Sequence, residues 1–246
     1  GDEAESWREI AELLTPVTKA WCTDLGLEVT STAVQVFGGM GYIEETGAAQ
    51  LLRDARIAPI YEGTNGIQAL DLAGRKLGRD GGAALAALID DVEATASALA
   101  AREELVALGE SLAGGAADLR VAMAAVLESS RDTQHGEDAI QAFATPFLSL
   151  VGHVLCAWQM GRAALVAEAA LLDGSTDPFY RAKLAAADYA LRHWLPVGRA
   201  QRAVIEAGVD GLTHYVPDID CPPFVALCGS SGGPPKGMIA AQPSVR

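Results

Sequence analysis

The residues able to do chemistry fall in two short segments. In Arg53-Asp54-Ala55-Arg56-Ile57-Ala58-Pro59-Ile60-Tyr61-Glu62-Gly63-Thr64-Asn65-Gly66-Ile67-Gln68, one carboxylate, Glu62, stands between a proline-containing stretch and a helix start. Such a carboxylate has two physical readings. It caps the following helix, where negative charge is favoured, or it is a general base held on a turn, with Gly63 leaving room for a ligand. The other segment is Gln35-Val36-Phe37-Gly38-Gly39-Met40-Gly41. Its glycines either let backbone N–H groups approach a phosphate or simply terminate a helix. It is not a dinucleotide-binding fingerprint, because no strand precedes it.

The other candidates are weaker. His135, His153, His193 and His214 lack ligand spacing, and no metal site is expected. His153 lies in an apolar helical run and reads as a satisfied core residue, and Trp21, Trp158 and Trp194 fall at core-like positions. Cys22 and Cys156 sit in apolar helical patterns that suggest small buried thiols; with Cys221 and Cys228 they form no C-x-x-C pair, and no disulfide framework is expected. Glu44-Glu45 reads as a solvated turn, and Arg53 with Asp54 as a structural pair.

The elements that position these residues read as helices throughout. Thr15-Pro16 has the form of a cap and first helical position, opening a helix that ends at Gly38-Gly39, with residues 1–14 a separate short helix or frayed end. Residues 38–46 read as a turn and 47–56 as a short helix. Ala58 to Tyr61 should be extended, because a residue before proline avoids the α region. Thr64 or Glu62 then caps a helix over 65–77, closed by Gly78 and Gly81-Gly82. Apolar residues recur at helical spacing over 84–112, with Gly114-Gly115 as a break and a further helix over 116–130. Residues 131–138 read as a polar loop, and a long helix follows over 137–172. A turn at 173–178 precedes a last helical region over 179–208 with Pro196 as a kink point. The Pro- and Gly-rich end predicts an irregular tail.

Composition agrees. Hydrophobic residues make up 50% of the 246, dominated by Ala and Leu, and aromatic residues only 6%; that mixture leans all-α. A formal net charge of -14 disfavours nucleic acid and anionic membrane surfaces. The apolar stretch 143–172 is interrupted by His153, Gln159, Arg162 and Glu168 and reads as a buried core helix, with no membrane span. The acidic, polar N-terminus resembles no targeting peptide, and a reducing cytoplasm is the expected compartment.

With both motifs in view, the run from Val34 to Gln68 resembles the C-terminal domain signature of acyl-CoA dehydrogenases, since QVFGGMG and RDARIAPIYEGTNGIQ both match, in register. This likeness covers about residues 15–80. Residues 84–208 more loosely resemble the additional C-terminal helical domain of a larger subgroup of methylmercaptopropionyl-CoA dehydrogenase type, best in FYRAKLAAADYALRHWLP. The organisation implied is a partial C-terminal helical domain over 1–82, an additional helical domain over 83–210 and an irregular tail over 211–246.

The resemblance implies an FAD-dependent oxidoreductase of fatty acid metabolism that converts an acyl-CoA thioester to a trans-2-enoyl-CoA. Glu62 would be the base that takes the α-proton, and Gly63 would lie against the substrate. Gln35, Val36, Phe37, Gly38 and Gly39 would contact the adenine-diphosphate part of FAD bound mainly by a neighbouring subunit, while Thr64, Asn65 and Gly66 would touch flavin. The weakly acidic α-proton requires polarisation of the carbonyl by preorganised donors, one of them the backbone N–H of the catalytic Glu. In some relatives the base sits on an earlier helix and the matching position is not acidic; here Glu62 keeps the common arrangement. A full family member also carries an N-terminal helical domain and a middle β-domain, so the chain is expected to be a fragment, a truncated product or one half of a split enzyme. The implied partners are an electron-transfer flavoprotein as acceptor and further copies of the chain or a complementary N-terminal chain. Two other readings are an acyl-CoA oxidase, which passes the electrons to oxygen, and a catalytically silent helical oligomerisation module.

Overall fold

The computed structural model describes residues 2–132 and 136–208, with side chains from Trp7 onward. The tail over 211–246, with Cys221, Cys228 and His214, lies outside the described residues, as does His135. The described residues are helical and contain no strand, and they lie in a single compact unit.

The chain opens with α1 (Asp2–Phe37), one continuous helix with Pro16 inside it. The predicted start at Thr15-Pro16 is therefore incorrect. Leu13 and Val17 are buried and Ile10 and Leu14 pack against the core, so tertiary packing stabilises the turns on both sides of a proline that costs one helical hydrogen bond. Thr15 Oγ1 donates to the Ala11 carbonyl at 2.8 Å instead of capping. A turn leads to α2 (Gly39–Tyr42), a 3-10 turn (Glu44–Thr46) and α3 (Ala48–Arg56). After the Glu62 loop come α4 (Asn65–Leu70), a π-helical stretch (Asp71–Lys76) and α5 (Leu77–Arg79).

The main core is built by α6 (Ala83–Ala100), α7 (Val106–Ser129) and α8 (Gly136–Leu172). The helices α6 and α7 form an antiparallel hairpin: Arg120 bonds Asp90 and Glu93, and near the turn a Cβ at Gly109 would stand 2.6 Å from the Ala96 carbonyl and Ala100 nitrogen. The run over 84–112 is thus interrupted at 101–105, where no glycine or proline marks the turn. The predicted break at Gly114-Gly115 is absent. Both glycines lie inside α7 because a Cβ at Gly115 would meet Leu195 at 3.1 Å and one at Gly114 would meet Arg199 at 2.8 Å; they are contact points between helices.

Helix α8 is the spine of the fold. By length and composition it could cross a membrane, yet 56% of its apolar window is buried inside the fold, with Phe147, Leu150, Val151 and Val154 fully enclosed. The chain closes with α9 (Pro178–Tyr189), a π-helical stretch (Ala190–Trp194), α10 (Leu195–Arg199) and α11 (Gln201–Glu206), which wrap α8. Buried Asp118 on α7 fastens this end by accepting from Arg199 Nε at 2.5 Å and Arg202 Nη1 at 2.9 Å. The core runs without interruption from Leu13 and Val17 through Leu72 and Leu77 to Leu85, Leu119 and Phe147. Burying each such side chain contributes on the order of 1.5–3 kcal/mol.

Candidate active site

The 57–61 segment is not extended. Ile60 and Tyr61 both donate to the Ile57 carbonyl, at 2.9 and 3.1 Å, so α3 continues into a tight helical turn. Pro59, which has no N–H to donate, sits inside this turn, and its carbonyl accepts from Asn65 N at 3.0 Å. The turn delivers Glu62 with φ 54, the one non-glycine residue in the left-handed region among the described residues. A side chain in that conformation costs on the order of 1–2 kcal/mol. Gly63 follows with φ 84, and Glu62 and Gly63 are both exposed.

Helix α1 holds this loop. Lys19 Nζ donates to the Gly63 carbonyl at 2.7 Å and to Asn65 Oδ1 at 2.8 Å. Asn65 Nδ2 lies within hydrogen-bond reach of the Ala20 carbonyl (3.0 Å), Thr23 Oγ1 (2.9 Å) and Asp24 Oδ1 (2.7 Å). The Asn65 side chain is thus spent on α1 and its backbone N–H on the Pro59 carbonyl. Thr64 caps α4 by accepting from Ile67 N at 3.4 Å, which assigns the cap to Thr64 rather than Glu62. Gln68 Nε2 reaches the Glu62 carbonyl at 3.4 Å. Among the described residues, the N–H groups of Glu62, Gly63 and Thr64 donate to no acceptor within the chain. A Cβ on Gly66 would meet only Thr64 Oγ1, at 3.9 Å. Among the described residues, no neighbour requires a glycine there.

The other motif forms the far end of α1. Gly38 takes φ 61 and ψ −144, a conformation open essentially to glycine alone. Gly41 is buried, and a Cβ there would fall 2.3 Å from the Val34 carbonyl, so it lets α2 fold back on α1. A Cβ on Gly38 or Gly39 meets nothing within 4 Å, and Gln35, Val36 and Phe37 are exposed. Arg53 of α3 braces this turn through Glu44, at 2.7 Å, rather than through Asp54; successive residues on a helix do not face each other. Glu44 is therefore ion-paired, though exposed.

The structure brings Glu62, Gly63, Thr64, Asn65 and Gly66 together on one loop, and Gln35 to Gly39 on one turn. It does not bring the two groups together. Lys19 touches the loop and Phe37 ends the helix, which separates the two groups by five turns of α1, roughly 27 Å.

Lys19, Thr23 and Asp24 were not singled out from sequence; their i, i+4 and i+5 spacing ahead of the motif was the available signal. His153 is half-buried, between Trp21 and Trp194 at ring-centroid distances of 5.7 and 4.6 Å, with Nδ1 2.7 Å from the Ser149 carbonyl. Cys22 is exposed, contrary to the expected buried thiol, while Cys156 is half-buried and burial pushes its thiol pKa up. No group of three or more metal-ligating side chains occurs among the described residues.

Comparison with known proteins gives two family matches in tandem. Residues 4–77 match the acyl-CoA dehydrogenase C-terminal domain, and residues 86–215 match the family described as acetyl-CoA dehydrogenase C-terminal like. The 3-methylmercaptopropionyl-CoA dehydrogenase of Ruegeria pomeroyi is 46% identical over 188 residues, 76% of this chain and 31% of that protein. The broad-specificity linear acyl-CoA dehydrogenase FadE5 of Mycobacterium tuberculosis is 30% identical over 84% of this chain and 35% of its own length. A butyryl-CoA dehydrogenase of Syntrophomonas wolfei is 29% identical over 79% of this chain and 32% of that protein. The chain thus spans about a third of the length of these curated relatives. With these two matches in tandem, the chain belongs to the acyl-CoA dehydrogenase family of oxidoreductases, as its C-terminal part.

Proposed function

We propose that this chain supplies the catalytic base and part of the cofactor wall of an FAD-dependent acyl-CoA dehydrogenase that converts an acyl-CoA thioester to a trans-2-enoyl-CoA. The observation that carries the reading is the strained backbone at Glu62, φ 54, on an exposed loop pinned to α1. Strain of this kind persists where the surroundings over-determine it, and it gathers at functional sites.

In this reading the Glu62 carboxylate takes the α-proton of the bound thioester. Its own N–H, which meets no acceptor among the described residues, is free to donate to the thioester oxygen as negative charge grows there. Gly63 keeps the approach open, since a side chain there would already crowd Gln68 at 3.0 Å. FAD, when bound, would accept the β-hydrogen as hydride.

The residues present fit such a cofactor at two places. Gly38 and Gly39 expose backbone that no Cβ covers, beside exposed Phe37, which suits the adenine-diphosphate portion. Gly66 does the same beside Glu62, which suits the flavin end. Their separation along α1 supports a site composed from two protomers, each motif serving a different cofactor molecule. Exposed Tyr42, Ile57, Ile60 and Tyr61 are apolar surface that other segments of a complete enzyme would cover. Electrons would leave to an electron-transfer flavoprotein, and the compartment would be the cytoplasm.

The test is Glu62→Gln in the complete enzyme. Turnover should fall by at least about 1,000-fold, within the range for loss of a general base, while bound flavin stays at the parent level. Undiminished turnover would remove Glu62 from this role.

A further inference from the structure

The loop that carries Glu62 has no hydrophobic anchor of its own: residues 60–64 are all exposed, and Ala69, further along α4, is its first buried neighbour on that side. What fixes the loop is polar. The Lys19 ammonium bridges the Gly63 carbonyl and Asn65 Oδ1, at 2.7 and 2.8 Å. Asn65 is held in turn by Asp24, Thr23 and the Ala20 carbonyl. Thr23 Oγ1 turns back to the Lys19 carbonyl at 2.7 Å, so the network closes on α1 within little more than one helical turn. Hydrogen bonds with one charged partner are roughly twice as strong as neutral ones. Lys19 supplies two, one of them to the residue directly after the strained Glu62.

We propose that Lys19 is a positioning residue for the base: its ammonium clamps the Gly63 carbonyl and the Asn65 side chain, and so fixes the left-handed turn that aims the Glu62 carboxylate and its N–H. The inference rests on the assignment of Glu62 as base. Lys19 touches no reacting atom in this account. It acts by denying the 62–63 backbone its relaxed, negative-φ alternatives, which Gly63 alone would leave open. Asp24 offsets the cation's charge through Asn65, so the clamp is a closed ion–amide–ion chain rather than a lone charge beside the base.

The experiment compares Lys19→Met and Lys19→Arg in the complete enzyme, with Glu62→Gln as reference. A methionine keeps the stem and removes the donor; an arginine keeps the charge and can still donate to two oxygens. Lys19→Met should lower kcat about 10- to 100-fold, the scale of an ångström-sized misplacement, with KM for acyl-CoA and flavin content near the parent values. The deuterium isotope effect measured with α-deuterated acyl-CoA should rise, because proton removal becomes more rate-limiting. Backbone amides over 63–66 should exchange hydrogen faster, a readout independent of turnover, and Lys19→Arg should restore most of kcat. A Lys19→Met enzyme with parental kcat, isotope effect and amide exchange would overturn the proposal and leave Glu62 standing if Glu62→Gln is inactive. Slower turnover with an unchanged isotope effect and no rescue by arginine would also overturn it. An active Glu62→Gln enzyme would instead sink the base assignment itself.

Discussion

Two regions of this chain are folded on different terms. From Asp24 to Gln68, which includes both motifs, only Gly41, Ala48 and Pro59 are buried, and Val36, Phe37, Met40 and Tyr42 stand in the open. From Ala83 to Leu172, three long helices enclose Leu85, Ile89, Leu99, Leu112, Leu119, Phe147 and Leu150. The second region is stabilised by its own core. The first is held by the end of α1, by the Arg53–Glu44 pair and by the Lys19–Asn65 network, all polar or local. The candidate site residues stand where the chain's own packing leaves backbone and side chains uncovered.

The comparison can be broken first in the core. Phe147→Ala should destabilise the chain by about 3–5 kcal/mol, the cost of truncating an enclosed aromatic ring, read as a lower midpoint of denaturant unfolding. A smaller effect is expected where α1 meets α5. There Arg79, hydrogen-bonded to Glu12 and adding its charge, holds the Glu12 carboxyl below the usual carboxylate range, with Lys76 contributing less. A depressed folded-state pKa means that the stabilisation is full above the unfolded-state value and is lost as pH falls through the depressed one. Glu12→Gln should therefore lower the melting temperature slightly at neutral pH, and its difference from the parent should close in acid. The smallest effect belongs to the motif region: Phe37→Ser should change the stability of the chain by no more than about 0.5 kcal/mol. A large loss there would mean that the exposed turn belongs to the core after all.

Much of this architecture was legible in the sequence, and the misses have physical causes. The long helix over 137–172 was readable because its apolar spacing and the Asp173–Pro178 stop agree, and α8 begins within one residue of the prediction. Thr15-Pro16 misled because a local capping signal was outweighed by burial of Leu13 and Val17 on both sides of the proline. Gly114-Gly115 misled because the glycines serve the close approach of Leu195 and Arg199, which no local pattern reveals. The interruption at 101–105 carried no glycine or proline to announce it. At the site, the Glu62 loop and the Gly38 turn were recognisable from residue types, since each needs glycine for backbone reasons. No residue type announces the positive φ of Glu62, and the hold of Lys19, Thr23 and Asp24 arises only when α4 docks on α1, a contact between residues more than forty apart.

The most direct test asks whether position 62 moves a proton. The complete enzyme should exchange the α-hydrogens of acyl-CoA with deuterium from solvent, followed by mass spectrometry of the recovered thioester, and Glu62→Gln should drop that exchange to the rate without enzyme. Exchange that continues at the parental rate in Glu62→Gln would contradict the account.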